Sequence, residues 1–230
     1  MSYGSSMKTI VVSIGGSVVL SDEADTQFLK NLTELFRKIS TQYRLFVIVG
    51  GGKIARQYIQ LGRELGFDED TLDVIGVDVT RVNARIIAGL LGTANKDIPH
   101  TVDDALKLKT PIVVMGGTGP RHSTDTVGAE LAEKTHAVRF VNATNVDGIY
   151  DKDPKKFKDA RQLKTVHIDE LIKQYGTSWG KAGKNIFMDN PAFDIIKRAK
   201  ITTSVVNGKR LDQLEKALVG QPFDGTTILS

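Results

Sequence analysis

Three apolar runs in this chain end directly in consecutive glycines. Ile10-Val11-Val12-Ser13-Ile14 meets Gly15-Gly16, Leu45-Phe46-Val47-Ile48-Val49 meets Gly50-Gly51-Gly52, and Pro111-Ile112-Val113-Val114-Met115 meets Gly116-Gly117. Short, near-continuous apolar runs bounded by turn residues read as strands buried on both faces. Glycine after such a strand lets the backbone turn tightly and brings its N–H groups up to a ligand with no Cβ in the way. Repeated at the carboxyl ends of several strands, the pattern predicts an open α/β sheet with one crevice lined by backbone donors. The expected guest is an anion, phosphate above all.

Strand and helix patterns alternate along the chain. Phe28, Leu29, Leu32, Leu35, Phe36 and Ile39 recur at helical spacing within 25–40, after a polar loop that follows Gly16. Helices are also predicted over 53–65, stopped by Gly66, and over 72–91, 101–108 and 124–134. A fourth strand is predicted at 137–141. The stretch 142–163 reads as a long loop that can hold a hairpin. Further helices are predicted at 168–174, from Asn190-Pro191 to about Lys200 with Asn190 as the cap and Pro191 at the first helical position, and at 211–219, with strands at 202–206 and 225–229. This βαβα order predicts an α/β protein, a three-layer αβα sandwich with a mainly parallel central sheet. The chain has 230 residues, of which 40% are hydrophobic and 25% charged, enough for one large core. Residues 1–6 read as a flexible extension and 7–230 as a single domain.

Cysteine is absent, which excludes disulfides and thiolate chemistry and fits a cytoplasmic setting. No apolar stretch approaches the roughly 20 residues of a membrane span, and residues 1–6 lack the charged-then-apolar pattern of an export signal. The formal net charge of +4 suits nucleotides and other small anions. The densest basic stretch, Lys152 to Lys164, is interrupted by Asp151, Asp153 and Asp159 and has few aromatics for base stacking, so no nucleic-acid partner is expected.

Neither a Walker A motif nor a dinucleotide G-x-G-x-x-G is present. Gly50-Gly51-Gly52-Lys53 instead ends a strand and opens a helix, where free N–H groups, the positive helix end and an ammonium converge on a phosphate. Arg56 follows one turn later on the same face. The decapeptide Gly116 to Asp125 combines mobile backbone, hydroxyls, a guanidinium, an imidazole and a carboxylate just before a helix. That set serves a sugar, base or phosphate, and serves equally as a polar surface loop with Thr124 as a cap. Asn145, Tyr150 and Asp153 follow the fourth strand and can meet an adenine or ribose. The four histidines show no metal-ligand spacing, so no protein-held metal is expected.

Together these blocks resemble the amino acid kinase superfamily, and within it the archaeal type of uridylate kinase. The resemblance is carried by Ile14-Gly15-Gly16-Ser17-Val18, Val49 to Arg56, Gly116-Gly117-Thr118, Ser123-Thr124-Asp125, Ala143 to Tyr150, Asp153 to Lys156, and Gly225-Thr226-Thr227-Ile228. It implies phosphoryl transfer from ATP to UMP with Mg²⁺ carried on the ATP phosphates, in pyrimidine nucleotide (CTP) biosynthesis, by a cytoplasmic homohexamer. It implies an N-terminal part serving mainly the acceptor and a C-terminal part serving mainly ATP. By position, UMP would meet Gly51, Asp73, Thr118, Gly119, Pro120, Arg121, His122, Ser123 and Thr124. ATP would meet Gly16, Ser17, Gly52, Arg56, Thr144, Asn145, Tyr150 and Asp153. Asp125 would organise the charged groups, and Lys53 is the first candidate to touch the transferring group, ahead of Lys181 or Lys184. Three departures from the family pattern stand out. Ser13 occupies the place of a first-strand lysine found in many members. Gly119 and Arg121 replace the histidine and glycine common in the archaeal acceptor loop. The stretch from Lys181-Ala182-Gly183 to Pro191 is one residue longer. Other kinases of the same fold (acetylglutamate, carbamate or isopentenyl phosphate kinase) and a non-catalytic nucleotide- or oxyanion-binding relative are the competing readings.

Overall fold

The computed structural model describes residues 7–20, 25–152, 154, 156–176 and 188–230. In chain order the elements are β1 (Thr9–Ile14), α1 (Gly16–Val19), α2 (Thr26–Ser40), β2 (Arg44–Val49), α3 (Gly52–Glu64), α4 (Glu69–Leu91), α5 (Val102–Lys107), β3 (Ile112–Met115) and α6 (Thr124–Lys134). They continue with β4 (Arg139–Thr144), β5 (Ile149–Tyr150), β6 (Gln162–Leu163), β7 (Thr165–His167), α7 (Ile168–Tyr175), α8 (Asn190–Ala199), β8 (Thr203–Asn207), α9 (Leu211–Val219) and β9 (Gly225–Leu229).

Seven strands form one sheet in the order β3-β2-β1-β4-β8-β9-β7, and β5 and β6 pair separately. Strands β3, β2, β1, β4 and β8 are mutually parallel, while β9 runs antiparallel to β8. The apolar strand runs follow from burial on both sides. Ile10, Val12, Ile14, Leu45, Val47 and Val49 face a layer formed with Leu32 and Phe36 of α2, Ile87 of α4 and Leu214 of α9. Val11, Phe46, Ile48, Val113 and Met115 face Val127 and Leu131 of α6 and Phe193 and Ile196 of α8. Alternate residues of each strand thus feed opposite layers, giving the αβα sandwich. Among the described residues, no helix is long and apolar enough to cross a membrane.

Helix boundaries follow local chemistry. The carboxylates of Asp25 and Asp68 cap α2 and α4, accepting from Phe28 N at 2.8 Å and Thr71 N at 2.9 Å. Helix α4 ends at Gly92, whose φ of 66° is the left-handed stop that glycine adopts without strain.

The structure departs from the sequence expectations in four places. The polar loop expected after Gly16 begins as helix α1, because Val18 and Val19 are drawn into the core. Strand β4 spans Arg139–Thr144 rather than 137–141, because pairing with β1 and β8 on either side carries it to Thr144. Strand β7 had no alternation long enough to read and exists through pairing with β9. Asp189, not Asn190, is the N-cap position of α8, and its carboxylate makes no cap hydrogen bond.

Helix α6 lies close to the sheet because residue 128 is glycine: a Cβ there would stand 2.6 Å from the Phe140 ring. Gly128→Ala is therefore expected to destabilise the protein by about 1–3 kcal/mol through overpacking, measured by urea unfolding. Unchanged stability would show that the helix can ride up without cost.

Candidate active site

The parallel strands deliver their carboxyl ends to one edge of the sheet. The connections reverse direction between β1 and β4, and a crevice opens at such a switch point. Two of the glycine turns meet there backbone to backbone. A Cβ on Gly16 would lie 2.2 Å from Gly52 N and 2.5 Å from Gly50 O, and a Cβ on Gly52 would lie 2.5 Å from the Gly16 carbonyl carbon. Gly52 also has φ of 68°. Gly15 N donates to Ala143 O at 2.9 Å and Gly50 N to Ile14 O at 2.9 Å, stitching the first turn to its neighbours. Helix α3 starts at this seam without a side-chain cap, so its first N–H groups have no intrahelical partner. Lys53 and Arg56 stand exposed in its first turns, and Ser17 is partly buried in α1.

Helix α4 holds the second and third turns together. Asn83 Nδ2 donates to Gly50 O at 2.8 Å and to Gly51 O at 3.3 Å. Thr80 Oγ1 accepts from Gly117 N at 2.6 Å and donates to Val77 O at 2.6 Å. Arg81 Nη2 donates to Thr118 O at 3.0 Å. Thr80, Arg81 and Asn83 were not among the expected site residues. Their only sequence signal is polar side chains within a helix that also buries Ala84 and Ile87.

The loop 118–123 is tied to the same helix. Arg121 N donates to Asp73 Oδ2 at 3.0 Å, and its guanidinium reaches Asp70 at 3.1 Å. Arg121 has φ of 60°, in the left-handed region that favours glycine, which explains the glycine of the resembling loops. Thr118 Oγ1 and His122 Nδ1 lie 3.3 Å apart, and Gly119 and Pro120 form the turn between them. Ser123 caps α6, accepting from Asp125 N and Thr126 N at 3.1 Å each, with Thr124 as the first helical residue.

Ser13, on the α6 side of β1, donates its hydroxyl to Asp125 Oδ1 at 2.8 Å. A lysine at this place would hold the carboxylate ionised; a hydroxyl adds no charge. Asp189 approaches from α8 and accepts from Thr126 Oγ1 at 2.6 Å. Desolvation first, and the neighbouring Asp189 second, push the Asp125 carboxyl up to about 7 against the hydrogen bond from Ser13. Desolvation raises Asp189 as well, opposed by hydrogen bonds from Ser123 and Thr126. Asp189 Oδ1 and Asn190 Oδ1 are buried acceptors with no partner among the described residues. Among the described residues this cluster of oxygen acceptors has no ion-pair partner. Asp189 was not an expected site residue; it follows a segment with no readable period.

On the other side of the seam, Thr144 ends β4 and Asn145 is exposed beside it, with Oγ1 and Oδ1 at 3.5 Å. Asn207, ending β8, donates to Asp147 Oδ1 at 2.9 Å, and Gly208 N donates to Thr144 O at 2.8 Å. Tyr150 lies in β5, whose Ile149 N donates to Thr226 Oγ1 at 2.8 Å. Asp153, Lys181 and Lys184 lie outside the described residues.

A family model described as the amino acid kinase family matches residues 8–207. The uridylate kinase of Methanobrevibacter smithii is 42% identical over 224 residues, covering 96% of this chain and 99% of that protein. The uridylate kinase of Thermoplasma volcanium is 44% identical over 224 residues, covering 96% and 97%. The crystal structure of uridylate kinase from Archaeoglobus fulgidus superposes with a TM-score of 0.84 at 38% identity, covering 96% of this chain and 99% of that one. The chain belongs to the amino acid kinase family. Within that family it groups with the archaeal uridylate kinases.

The raised carboxyl has a consequence for stability. Folded Asp125 keeps its proton to about pH 7, whereas the unfolded carboxyl loses it near 4. Its contribution is therefore complete below about pH 4 and is lost as pH rises through about 7. Asp125→Asn is expected to melt above the wild type at pH 8, with the difference shrinking as pH falls to 5. Calorimetry across that range is the check; a pH-independent difference would contradict the raised carboxyl.

Proposed function

We propose that this crevice transfers the γ-phosphoryl group of ATP to UMP, giving ADP and UDP. The observation that carries the proposal is the seam at Gly16 and Gly50–Gly52. On one side of it lies the loop fastened by Asp73 and Arg81, and on the other the ends of β4 and β8. An acceptor phosphate and a donor triphosphate placed on the two sides would meet at the uncapped start of α3. The uridylate kinases at 42% and 44% identity support UMP as the acceptor.

The chemistry is an in-line displacement. An oxygen of the UMP phosphate forms a bond to the γ-phosphorus while the bond from that phosphorus to the bridging oxygen of ADP breaks. The acceptor phosphate is already ionised near neutrality, so His122 is given no role as a base. The task is electrostatic: two polyanions approach, and charge on the transferring group must be met. Backbone N–H groups of the glycine turns and the start of α3 bind the phosphates. Lys53 meets the transferring oxygens. Gly51, Asp73 and residues 118–124 hold UMP, while Gly16, Ser17, Gly52, Arg56, Thr144, Asn145 and Tyr150 hold ATP. The Asp125–Asp189 pair would orient a cation at the centre.

Mg²⁺, carried on the ATP phosphates, would supply further neutralisation. UDP would feed pyrimidine nucleotide synthesis, and the substrates imply a cytoplasmic setting. The chain would work as a homo-oligomer, a hexamer by resemblance. Ile54, Tyr58, Leu61 and Leu65 form an exposed apolar stripe on and just past α3, and Val82, Ile86 and Leu90 are exposed further along α4; apolar surface of this kind suits a second copy.

A coupled ADP-release assay against UMP, CMP, dUMP, AMP and isopentenyl phosphate should show turnover with UMP strongly preferred. Turnover with isopentenyl phosphate alone, or ATP binding without any ADP release, would overturn the reading. Lys53→Ala should lower the UMP rate about 10²–10³-fold with folding intact, the usual loss for one preorganised donor. Leu61→Glu should reduce the mass seen by light scattering; an unchanged mass would place the interface elsewhere.

A further inference from the structure

A recess of about 480 Å³ lies at the opposite end of β4 and β8 from the crevice. Its walls include Arg139, Lys164, Ser204, Thr227, Phe223 and the backbone around Gly220. Arg139 begins β4, whose other end is Thr144. Five residues of strand separate the two, roughly 17 Å, so the recess is not part of the phosphoryl-transfer site.

The Arg139 guanidinium is partly buried, yet among the described residues it makes no hydrogen bond or ion pair. It is packed against Gly220, where a Cβ would stand 2.1 Å from Nη2 and where φ is 77°. Glycine there lets the backbone fix the guanidinium in place. Ser204 and Thr227 are directly opposite each other in the β8–β9 pairing, so their hydroxyls share a face. Neither hydroxyl has a hydrogen-bond partner among the described residues, although Ser204 is only 5% exposed. The nearby carboxylate, Asp224, is already answered twice, by Lys164 at 2.8 Å and by Arg210 at 2.6 Å. The charges that line the recess therefore leave Arg139 in surplus.

A partly buried guanidinium without an acceptor among the described residues, beside two hydroxyls likewise without partners there, is an incomplete hydrogen-bond set. What completes it is a compact anion with several acceptor oxygens, and a phosphate group matches the fork of an arginine. We propose that this recess is a second anion site that binds a phosphate group, held by Arg139, Ser204 and Thr227. Lys164 stands at its rim, and Phe223 offers a surface for whatever the phosphate carries. Strand β4 links the recess to Thr144, and β8 links it to the Asn207–Asp147 hydrogen bond.

The experiment uses the full chain with its crevice filled by UMP and a non-hydrolysable ATP analogue. The Arg139 side-chain N–H signal and the backbone amide signals of Ser204 and Gly220, which line the recess, are followed by NMR while inorganic phosphate, pyrophosphate or UTP is added, the amides serving as the reporter in Arg139→Gln. A saturable shift of the Arg139 signal is expected. Saturation by inorganic phosphate marks a free-phosphate site; saturation by UTP alone marks a nucleotide site. Binding should weaken about tenfold or more in Arg139→Gln, the loss of a charge-assisted hydrogen bond, and by a smaller factor in Ser204→Ala, which removes no charge. UMP and ATP-analogue affinities, measured separately, should not change in either variant. The proposal is overturned if none of the three probes saturates. It is equally overturned if the response survives in both variants. Failure of UMP to bind the crevice would count against the phosphoryl-transfer reading and leave this titration to be judged by itself.

Discussion

The structure depends on a backbone-to-backbone contact. Gly16 approaches Gly50 and Gly52 so closely that a single methyl group on any of the three would collide with main-chain atoms. Main chain cannot move aside as the end of a side chain can, so the contact permits no substitute for glycine. It sets the spacing of the carboxyl ends of β1 and β2. The helices that start there, α1 and α3, inherit their positions from it, and so do the N–H groups they present. Backbone donors presented in this way are rigid for the same reason: their geometry is fixed by the sheet and not by rotamers.

The rest of the site surrounds that contact with side chains from elements far apart in sequence. Asn83 and Thr80 satisfy the carbonyl and amide groups that the glycine turns leave unpaired, so α4 acts as a splint for two turns at once. Buried backbone groups need such partners. Across the sheet, Ser13, Asp125 and Asp189 concentrate carboxyl oxygen where water is largely excluded. Ser13 explains the electrostatic character of this chain's version of the site. It satisfies Asp125 without a charge, so desolvation leaves the carboxylate disfavoured.

Much of the fold was legible because burial on both faces writes itself as unbroken apolar runs. β1, β2, β3, α2, α3, α6, α9 and β9 fall within a residue or two of where those patterns put them. β7 was not legible: three residues contain too little alternation to see, and its partner β9 lies some sixty residues away. The end of β4 was not legible either, since Asn142 and Thr144 are polar and join the ladder only because strands flank them on both sides. Of the site, the glycine turns and the residues at strand ends were readable. The α4 polar residues and Asp189 were not, because a helical polar residue looks alike whether it faces solvent or supports a loop.

The sequence by itself determined the α/β alternation, the strands buried on both faces, and the glycine turns at their carboxyl ends, since each of these is a local consequence of residue type and spacing. Only the tertiary structure decided that Gly16 rests against Gly52, that α4 splints the turns, that Asp125 and Asp189 share one poorly solvated pocket, and that Arg139, at the far end of β4, has no acceptor among the described residues. Those facts depend on through-space distance between segments, and on the water each segment loses to another, which no local pattern of residues encodes.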